Sequence, residues 1–422
     1  MSAPQPPANP PTSATTSATT SSWPRSTSWW PLLLHALPVY LLSRACVLAG
    51  AAVVAAELRV DANLATERRL PFGDPHSTPA AGSAVRPMID VLTSWDGLWY
   101  MDVVRSGYPR QVPPDITYHV DEARAAFFPL FPLLARWFDA ICPGGDSVAA
   151  LVMNTLLGLI AVVLVSLIAQ RLYGPAVART TATLVALFPG SFVLSFAYSE
   201  ALMLVLAAAC LLMLLDREWV AAGLFAALAT ATRPNALALV VACAAAAFVA
   251  VRERRDWTSL AAVLMAPIGF ATFQIWLGEH TGEYGVWFRV QREAWDEGAS
   301  FGWTAVRNTV EALATPLESP TDTITAISVA TTVVLVALAW RAKLPWFLTL
   351  YSWAILALML APATVTARPR FLFTAFPLLI GAARWYEQRE RHDDVLWPIT
   401  MAASGAGLAA LTGLYGVFGA IP

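Results

Sequence analysis

Long apolar runs, separated by short breaks of proline, glycine and charged residues, recur from residue 30 almost to the carboxyl end of the chain. Runs near 20 residues are long enough as helices to cross about 30 Å of hydrocarbon. The pattern predicts eleven membrane spans over 30–57, 147–170, 180–198, 199–215, 219–232, 234–251, 257–278, 322–340, 345–362, 370–386 and 395–417. Two long intervals interrupt them, 58–146 and 279–321. Within the first, Phe127 to Ile141 is apolar, yet it is short, contains Pro129 and Pro132, and carries Arg136 and Asp139 among aromatics. That mixture predicts a helix lying in the headgroup layer.

Composition supports the same class, since 57% of the 422 residues are hydrophobic and only 13% are charged, about half the charged share of a soluble domain. The fold class expected is an all-α polytopic membrane protein. Residues 1–28 are rich in Pro, Ser, Thr and Ala without apolar periodicity, so they predict a disordered tail, followed by one transmembrane domain over 29–422. No cleavable leader is legible in the tail, so the first span is expected to stay as an anchor. Cys46, Cys142, Cys210 and Cys243 are scattered, which indicates neither a disulfide framework nor a metal cluster. His119 beside Asp121 and Glu122 is too small a set for a metal site, and no metal or cofactor is expected.

Orientation follows from arginine placement, because short cytoplasmic loops hold an excess of Lys and Arg. Arg171 and Arg179, then Arg252, Arg254 and Arg255, then Arg341 and Lys343, then Arg384, Arg389 and Arg391 mark four loops. In the eleven-span reading all four fall on one side. This predicts a plasma-membrane protein with a cytoplasmic amino terminus and with both long loops outside.

The breaks on the outer side carry the chemistry. Ser94-Trp95-Asp96-Gly97-Leu98-Trp99-Tyr100 sets one carboxylate among large aromatics. Tyr198-Ser199-Glu200, Thr232-Arg233-Pro234-Asn235 and Ala367-Arg368-Pro369-Arg370 put further charge where two spans meet. Charge at membrane depth costs about 2.5 to 3.5 kcal/mol on insertion scales, so such groups usually line a cavity. A carboxylate, several arginines and many aromatics at a membrane surface suit sugar transfer from a lipid-linked phosphate. The carboxylate takes the proton of an acceptor hydroxyl. Guanidinium forks match the oxygens of a leaving phosphate, and flat aromatic faces receive sugar rings.

The roles follow residue by residue. Asp96 is the candidate base, with Arg233, Arg368 and Arg370 on the donor phosphate. Trp95, Trp99, Tyr100, Tyr198, Glu200 and Asn235 are candidate substrate contacts. If Val91 to Val104 is one helix, Trp95, Leu98, Trp99 and Asp102 share a face at i, i+3, i+4 and i+7, which adds Asp102. Each has a plainer reading: Glu200 can cap the following helix, and arginines at span ends can snorkel to water. Arg44, inside the first span, is expected to partner a polar group on another helix, far from Asp96.

Trp95-Asp96-Gly97-Leu98-Trp99-Tyr100, Ser106-Gly107-Tyr108, Phe127-Phe128-Pro129-Leu130-Phe131-Pro132, Pro189-Gly190-Ser191-Phe192 with Tyr198-Ser199-Glu200, Thr232-Arg233-Pro234-Asn235, and Arg370-Phe371 with Phe376-Pro377 occur in that order. The series resembles the PIG-V-type mannosyltransferases, over about residues 30 to 386. The resemblance implies a GT-C-type bundle with extracytoplasmic catalytic loops. It further implies a polyprenyl-phosphate-mannose donor, a glycolipid or glycan acceptor, and inversion without a metal. It also implies that the acidic residue of the first outer loop, here Asp96, is the base. Phe288 to Trp295 looks like the Phe, Gln and Trp pattern of bacterial members and adds Gln291 and Trp295 as substrate contacts. The acidic pair described for GT-C enzymes is absent around Asp96, since Asp90 and Asp102 are each six residues away. A second acidic role is therefore unassigned. The competing class is a transporter or flippase of a lipid-linked sugar, which would place charges near the midplane and repeat them between two halves. Here they crowd one surface.

Overall fold

The computed structural model describes residues 29–60, 85–364, 366–389 and 395–417. The tail expected over 1–28 and residues 61–84 of the first long loop lie outside the described residues. The described chain is helical, with a lone antiparallel bridge between Ala299 and Pro362. In order the helices are α1 (Trp30–Val60), α2 (Val85–Leu92), α3 (Asp96–Ser106), α4 (Leu130–Asp139), α5 (Asp146–Tyr173), α6 (Pro175–Leu187), α7 (Glu200–Asp216), α8 (Trp219–Thr230) and α9 (Ala238–Arg254). They continue as α10 (Leu260–Met265), α11 (Ile268–Thr281), α12 (Val286–Glu293), α13 (Trp303–Ala314), α14 (Pro320–Ala342), α15 (Trp346–Leu360), α16 (Pro369–Thr374), α17 (Pro377–Gln388) and α18 (Leu396–Gly416).

All eleven expected spans coincide with helical segments, and among the described residues six helices are long and apolar enough to cross a membrane by length and composition, or seven if one bent pair is taken as a single span. These are Trp30–Glu57, Asp146–Tyr173, Pro234–Arg254, Trp257–Thr281, Pro320–Ala342 and Leu396–Gly416. The remaining five are shorter or broken. The segment read as one span over 180–198 is α6 followed by a 3₁₀ helix, Pro189–Ser195, bent from it by 72°. Pro189 disfavours a helical Phe188 and has no N–H for the ladder. The segment read over 370–386 is α16 and α17, parted at Ala375 and Phe376 just before Pro377. Helix α4 has 10 residues, about 15 Å at 1.5 Å per residue, and exposes Leu133 and Trp137, with Ile141 exposed just past its end, a geometry suited to lying along the interface.

The core is Ala- and Leu-rich, and small residues let helix backbones approach closely. A Cβ on Gly381 of α17 would lie 2.6 Å from the Cα of Ala339 on α14. Arg44 is buried on α1, where its guanidinium donates to Ser191 O at 2.9 Å, Ser195 Oγ at 3.0 Å and Ser191 Oγ at 2.9 Å. It therefore ties α1 to the bent Pro189–Ser195 segment and leaves few of its donors unpaired.

A second apolar cluster joins the two long loops. Ile116, Phe128, Phe273, Leu277, Trp287 and Val290 are buried together. Trp287 donates to Ala126 O at 2.9 Å, and Arg289 donates to Pro113 O at 2.9 Å while pairing with Glu283 at 2.7 Å.

The two ends of the bundle differ. At one, Arg171 pairs with Asp216 at 2.5 Å, Arg384 donates to Ala342 O at 2.5 Å and lies 4.1 Å over the Tyr173 ring. This gathers the carboxyl-terminal ends of α5, α7, α14 and α17. The other end holds the segments around Asp96, Glu200, Arg233 and Arg370.

Candidate functional site

Asp96 is placed by an abrupt turn. Thr93 Oγ1 donates to Ile89 O and Ser94 Oγ to Val91 O, both at 2.8 Å, and close α2. Trp95 then takes φ 56° and ψ −122°, a conformation costly for a bulky residue, on the order of 1 to 3 kcal/mol. Its indole donates to Tyr415 O at 3.0 Å, and Ala197 N donates to Leu92 O at 2.9 Å. Asp96 becomes the first residue of α3, where the helix dipole favours a negative charge. The single helix considered over Val91–Val104 is thus broken at Trp95, which leaves the shared face, while Leu98, Trp99 and Asp102 stay together on α3.

Arg370 comes from the opposite end of the chain, on the first turn of α16. Its Nη1 lies 2.5 Å from Asp96 Oδ2 and 3.5 Å from Glu200 Oε1. Glu200 opens α7, is fully buried, and presents its other oxygen 2.7 Å from Arg233 Nη1. Arg233 also donates to Ser199 Oγ at 3.3 Å, and that hydroxyl is 2.6 Å from the Tyr100 hydroxyl. Arg370 lies 5.6 Å over the Tyr198 ring and 4.7 Å over Phe371. The quartet is therefore Asp96, Arg370, Glu200 and Arg233 in series, backed by Ser199, Tyr100 and Tyr198. Side-chain exposure is 21% for Asp96, 6% for Arg370, 10% for Arg233 and 0% for Glu200, so Asp96 is the member open to a ligand. Burial pushes the Tyr100 phenol up to about 12, which keeps it a neutral hydrogen-bonding group.

Close packing fixes Arg370. The 3₁₀ helix after α6 passes so near Pro369 that a Cβ on Gly190 would lie 2.2 Å from the Pro369 carbonyl oxygen. Asn154, buried on α5, donates to Phe196 O at 2.5 Å and Tyr198 O at 2.6 Å, which holds the strand of chain leading into Glu200.

The other sequence candidates take varied positions. Arg368 is buried and donates to Thr325 Oγ1 at 2.5 Å and Thr321 O at 3.3 Å on α14; it flanks the quartet without joining it. Trp95 is spent on the Tyr415 carbonyl. Asp102 pairs with Arg124 at 3.2 Å, and Arg124 also donates to Gly107 O at 2.7 Å, so this carboxylate is engaged in holding the loop. Trp99 meets Trp295 edge-on at 5.7 Å, and both meet Phe127, at 6.1 and 5.9 Å. Tyr100 also meets Phe127, at 5.0 Å. An aromatic wall therefore runs from the quartet into the second long loop. Gln291 is half-buried on α12, and Asn235 sits in the 3₁₀ turn after Arg233. Among the described residues the buried atoms Arg370 Nε, Arg368 Nε, Asn235 Oδ1, Tyr198 Oη and Trp295 Nε1 have no hydrogen-bond partner. Among the described residues no group of three or more His, Cys, Asp or Glu is placed to hold a metal ion.

The sequence pattern did not mark Asn154 or Arg124 as parts of this region, and it named Ser199 within Tyr198-Ser199-Glu200 without a role of its own. Asn154 had a visible signal, as a lone amide inside an apolar run. Arg124 had none.

Residues 124–277 match the family model described as dolichyl-phosphate-mannose-protein mannosyltransferase. The matched stretch contains Glu200 and Arg233 but neither Asp96 nor Arg370. No curated protein matches the chain in sequence. Among solved structures, the oligosaccharyltransferase of Archaeoglobus fulgidus in the apo form superposes with a TM-score of 0.42 at 12% identity, over 93% of this chain and 56% of that one. The chain thus spans little more than half of that protein, and a superposition of this quality carries no argument about function.

Proposed function

We propose that the chain is a GT-C-type membrane glycosyltransferase that moves mannose from polyprenyl-phosphate-mannose to a glycolipid or glycan acceptor outside the membrane, with inversion. The observation that carries this reading is the charged quartet, in which one carboxylate is open to a ligand and two arginines stand behind it on a fully buried second carboxylate. The family match over 124–277 supports the donor class. The quartet's place at the ends of α3, α7 and α16 fits an enzyme better than a transporter, whose charges gather near the midplane. The arginine-rich far end is the cytoplasmic one in this reading.

In the proposed reaction the donor phosphate is received by Arg233 and Arg370, with the unpartnered Nε–H groups of Arg370 and Arg368 as further donors. As Arg370 turns to the phosphate, Asp96 is released from it. The acceptor hydroxyl attacks the anomeric carbon, its proton passes to Asp96, and the bond from that carbon to the phosphate oxygen breaks. The charge left on the lipid phosphate is met by the guanidinium groups. Glu200 supplies the second acidic role that the sequence left open: it keeps the two arginines together and touches neither substrate. Trp99 and Trp295 form the wall against which the acceptor lies.

The test is donor kinetics in Arg233→Gln and Arg370→Gln. A hydrogen bond to a charged group contributes about 1.5 to 3 kcal/mol, so each change should lower kcat/KM for the donor by roughly 10- to 100-fold. Wild-type donor kinetics in both variants would contradict the phosphate assignment.

A further inference from the structure

The end of the bundle farthest from the quartet holds a cavity that the proposed reaction does not use. It measures about 320 Å³ and opens between α14, α15 and α17, with Val336, Trp340, Ser352, Trp353 and Leu356 on its walls and Lys343 and Leu344 at its end. The walls are apolar, and the hydroxyls of Thr349 and Ser352 are satisfied by backbone carbonyls of their own helix. Trp340 and Trp353 are 78% and 48% exposed, so the groove opens sideways to whatever surrounds the bundle.

Among the described residues that line it, Lys343 carries the charge. Lys343 is the only lysine of the chain and is exposed, with φ 51°. Arg384 donates to the carbonyl of the adjoining Ala342. Among the described residues no carboxylate pairs with Lys343 or Arg384. Glu387, on the last turn of α17, accepts from Thr180 on α6 at 2.5 Å. Lys343 lies 18 residues along from Thr325, the Arg368 partner on α14, about 27 Å at 1.5 Å per residue. That is close to the thickness of the hydrocarbon layer, so the ammonium stands at the opposite interface from the quartet.

We propose that this groove is a binding site for an anionic glycerophospholipid, with one acyl chain between α14 and α15 and the headgroup phosphate on Lys343. Basic pockets between membrane helices on the cytoplasmic side recognise such headgroups, and an interfacial Trp such as Trp340 anchors at headgroup level. The polyprenyl tail of a donor held at the quartet is the poorer occupant, because it has no charge for a cation at the far end. The site stands apart from the transfer reaction and is tested without it.

The experiment is native mass spectrometry of the full chain, released from bilayers of phosphatidylcholine and phosphatidylglycerol in equal parts. It compares wild type with Lys343→Gln, Lys343→Arg and Thr349→Phe, the last filling the groove. Wild type should retain phosphatidylglycerol at least fivefold over phosphatidylcholine. Lys343→Gln should abolish that preference, Lys343→Arg should keep it, and Thr349→Phe should lose the bound lipid altogether. Equal retention of the two lipids by wild type would overturn the proposal, as would an unchanged preference in Lys343→Gln. With polyprenyl phosphate added to the bilayer, its retention in place of phosphatidylglycerol, indifferent to Lys343→Gln, would also overturn it and give the groove to the carrier lipid.

Discussion

Gly190→Ala is the sharpest probe of how the site is held together. The added Cβ would meet Pro369 O at 2.2 Å, Pro369 C at 2.7 Å and Phe373 Cβ at 3.0 Å, where ordinary contact begins at 3.4 Å. Two of these are backbone atoms, so no side chain can swing aside, and the Pro369 peptide must retreat by roughly 1 Å in an interior packed as densely as a crystal. Overpacking of this kind costs about 1 to 3 kcal/mol of stability. Arg370 is the next residue, and a displacement near 1 Å at a reacting centre can cost about 10²-fold in rate. Gly97→Ala is the control, since it neighbours Asp96 but its Cβ meets nothing nearer than Tyr198 Cε1 at 3.5 Å. Mannosyl transfer and thermal midpoint in detergent should be measured for both. Gly190→Ala should lose about 100-fold in kcat/KM while Gly97→Ala stays within about threefold. Equal activity of the two variants would show that this contact does not set Arg370.

Glu200→Gln leaves Arg233 and Arg370 without their shared buried counter-charge, and breaking a buried pair typically costs about 3 to 5 kcal/mol; a lowered thermal midpoint with a raised donor KM is expected, and an unchanged midpoint would contradict the bridging role. Tyr100→Phe removes the hydroxyl that meets Ser199, which should lower turnover several-fold; because burial holds the phenol up to about 12, wild type should show no loss of activity from this group below pH 10. The Glu283 carboxyl is held below its ordinary range first by its hydrogen bond from Arg289, and then by that charge. Its folded value being depressed, the stabilisation is fully present above the usual carboxylate range of about 4.3 and is lost as pH falls through the lower folded value. Since Glu283 is 41% exposed, solvent screens the pair, and the expected readout is local: a lower hydrogen-exchange protection factor over 283–295, after division by the intrinsic rate at each pH, at pH 3 than at pH 6, with Glu283→Gln insensitive to that change.

The segments that meet at the quartet were legible because each sets charge beside apolar spans, where it is costly without a partner. The pairing was not. Asp96 and Arg370 are separated by most of the chain, and no local pattern says that Glu200 sits between them. The turn at Trp95 was hidden for a different reason: apolar periodicity runs through it unbroken, while a positive φ at tryptophan is imposed by the Tyr415 carbonyl and the Leu92 to Ala197 hydrogen bond. The pairing of Asp102 was hidden as well, since its partner Arg124 lies on the separate 3₁₀ helix Asp121–Ala126, 22 residues along the chain. The break at Pro189 had its signal in the sequence, as proline cannot continue a helix, and so did the one at Pro377. Apolarity alone joined them into spans, because a bent segment buried among other helices is as apolar as a straight one.

In the proposed reaction everything turns on Asp96 taking the acceptor's proton during sugar transfer from a lipid-linked phosphate. The measurement is transfer of radiolabelled mannose from polyprenyl-phosphate-mannose in membranes holding wild type or Asp96→Asn at equal, folded levels, with lipid and protein fractions counted separately. General-base assistance accounts for about 10² to 10⁴ in rate, so label should appear with wild type and fall by at least about 100-fold with Asp96→Asn. Undiminished transfer by Asp96→Asn would mean that Asp96 is not the base.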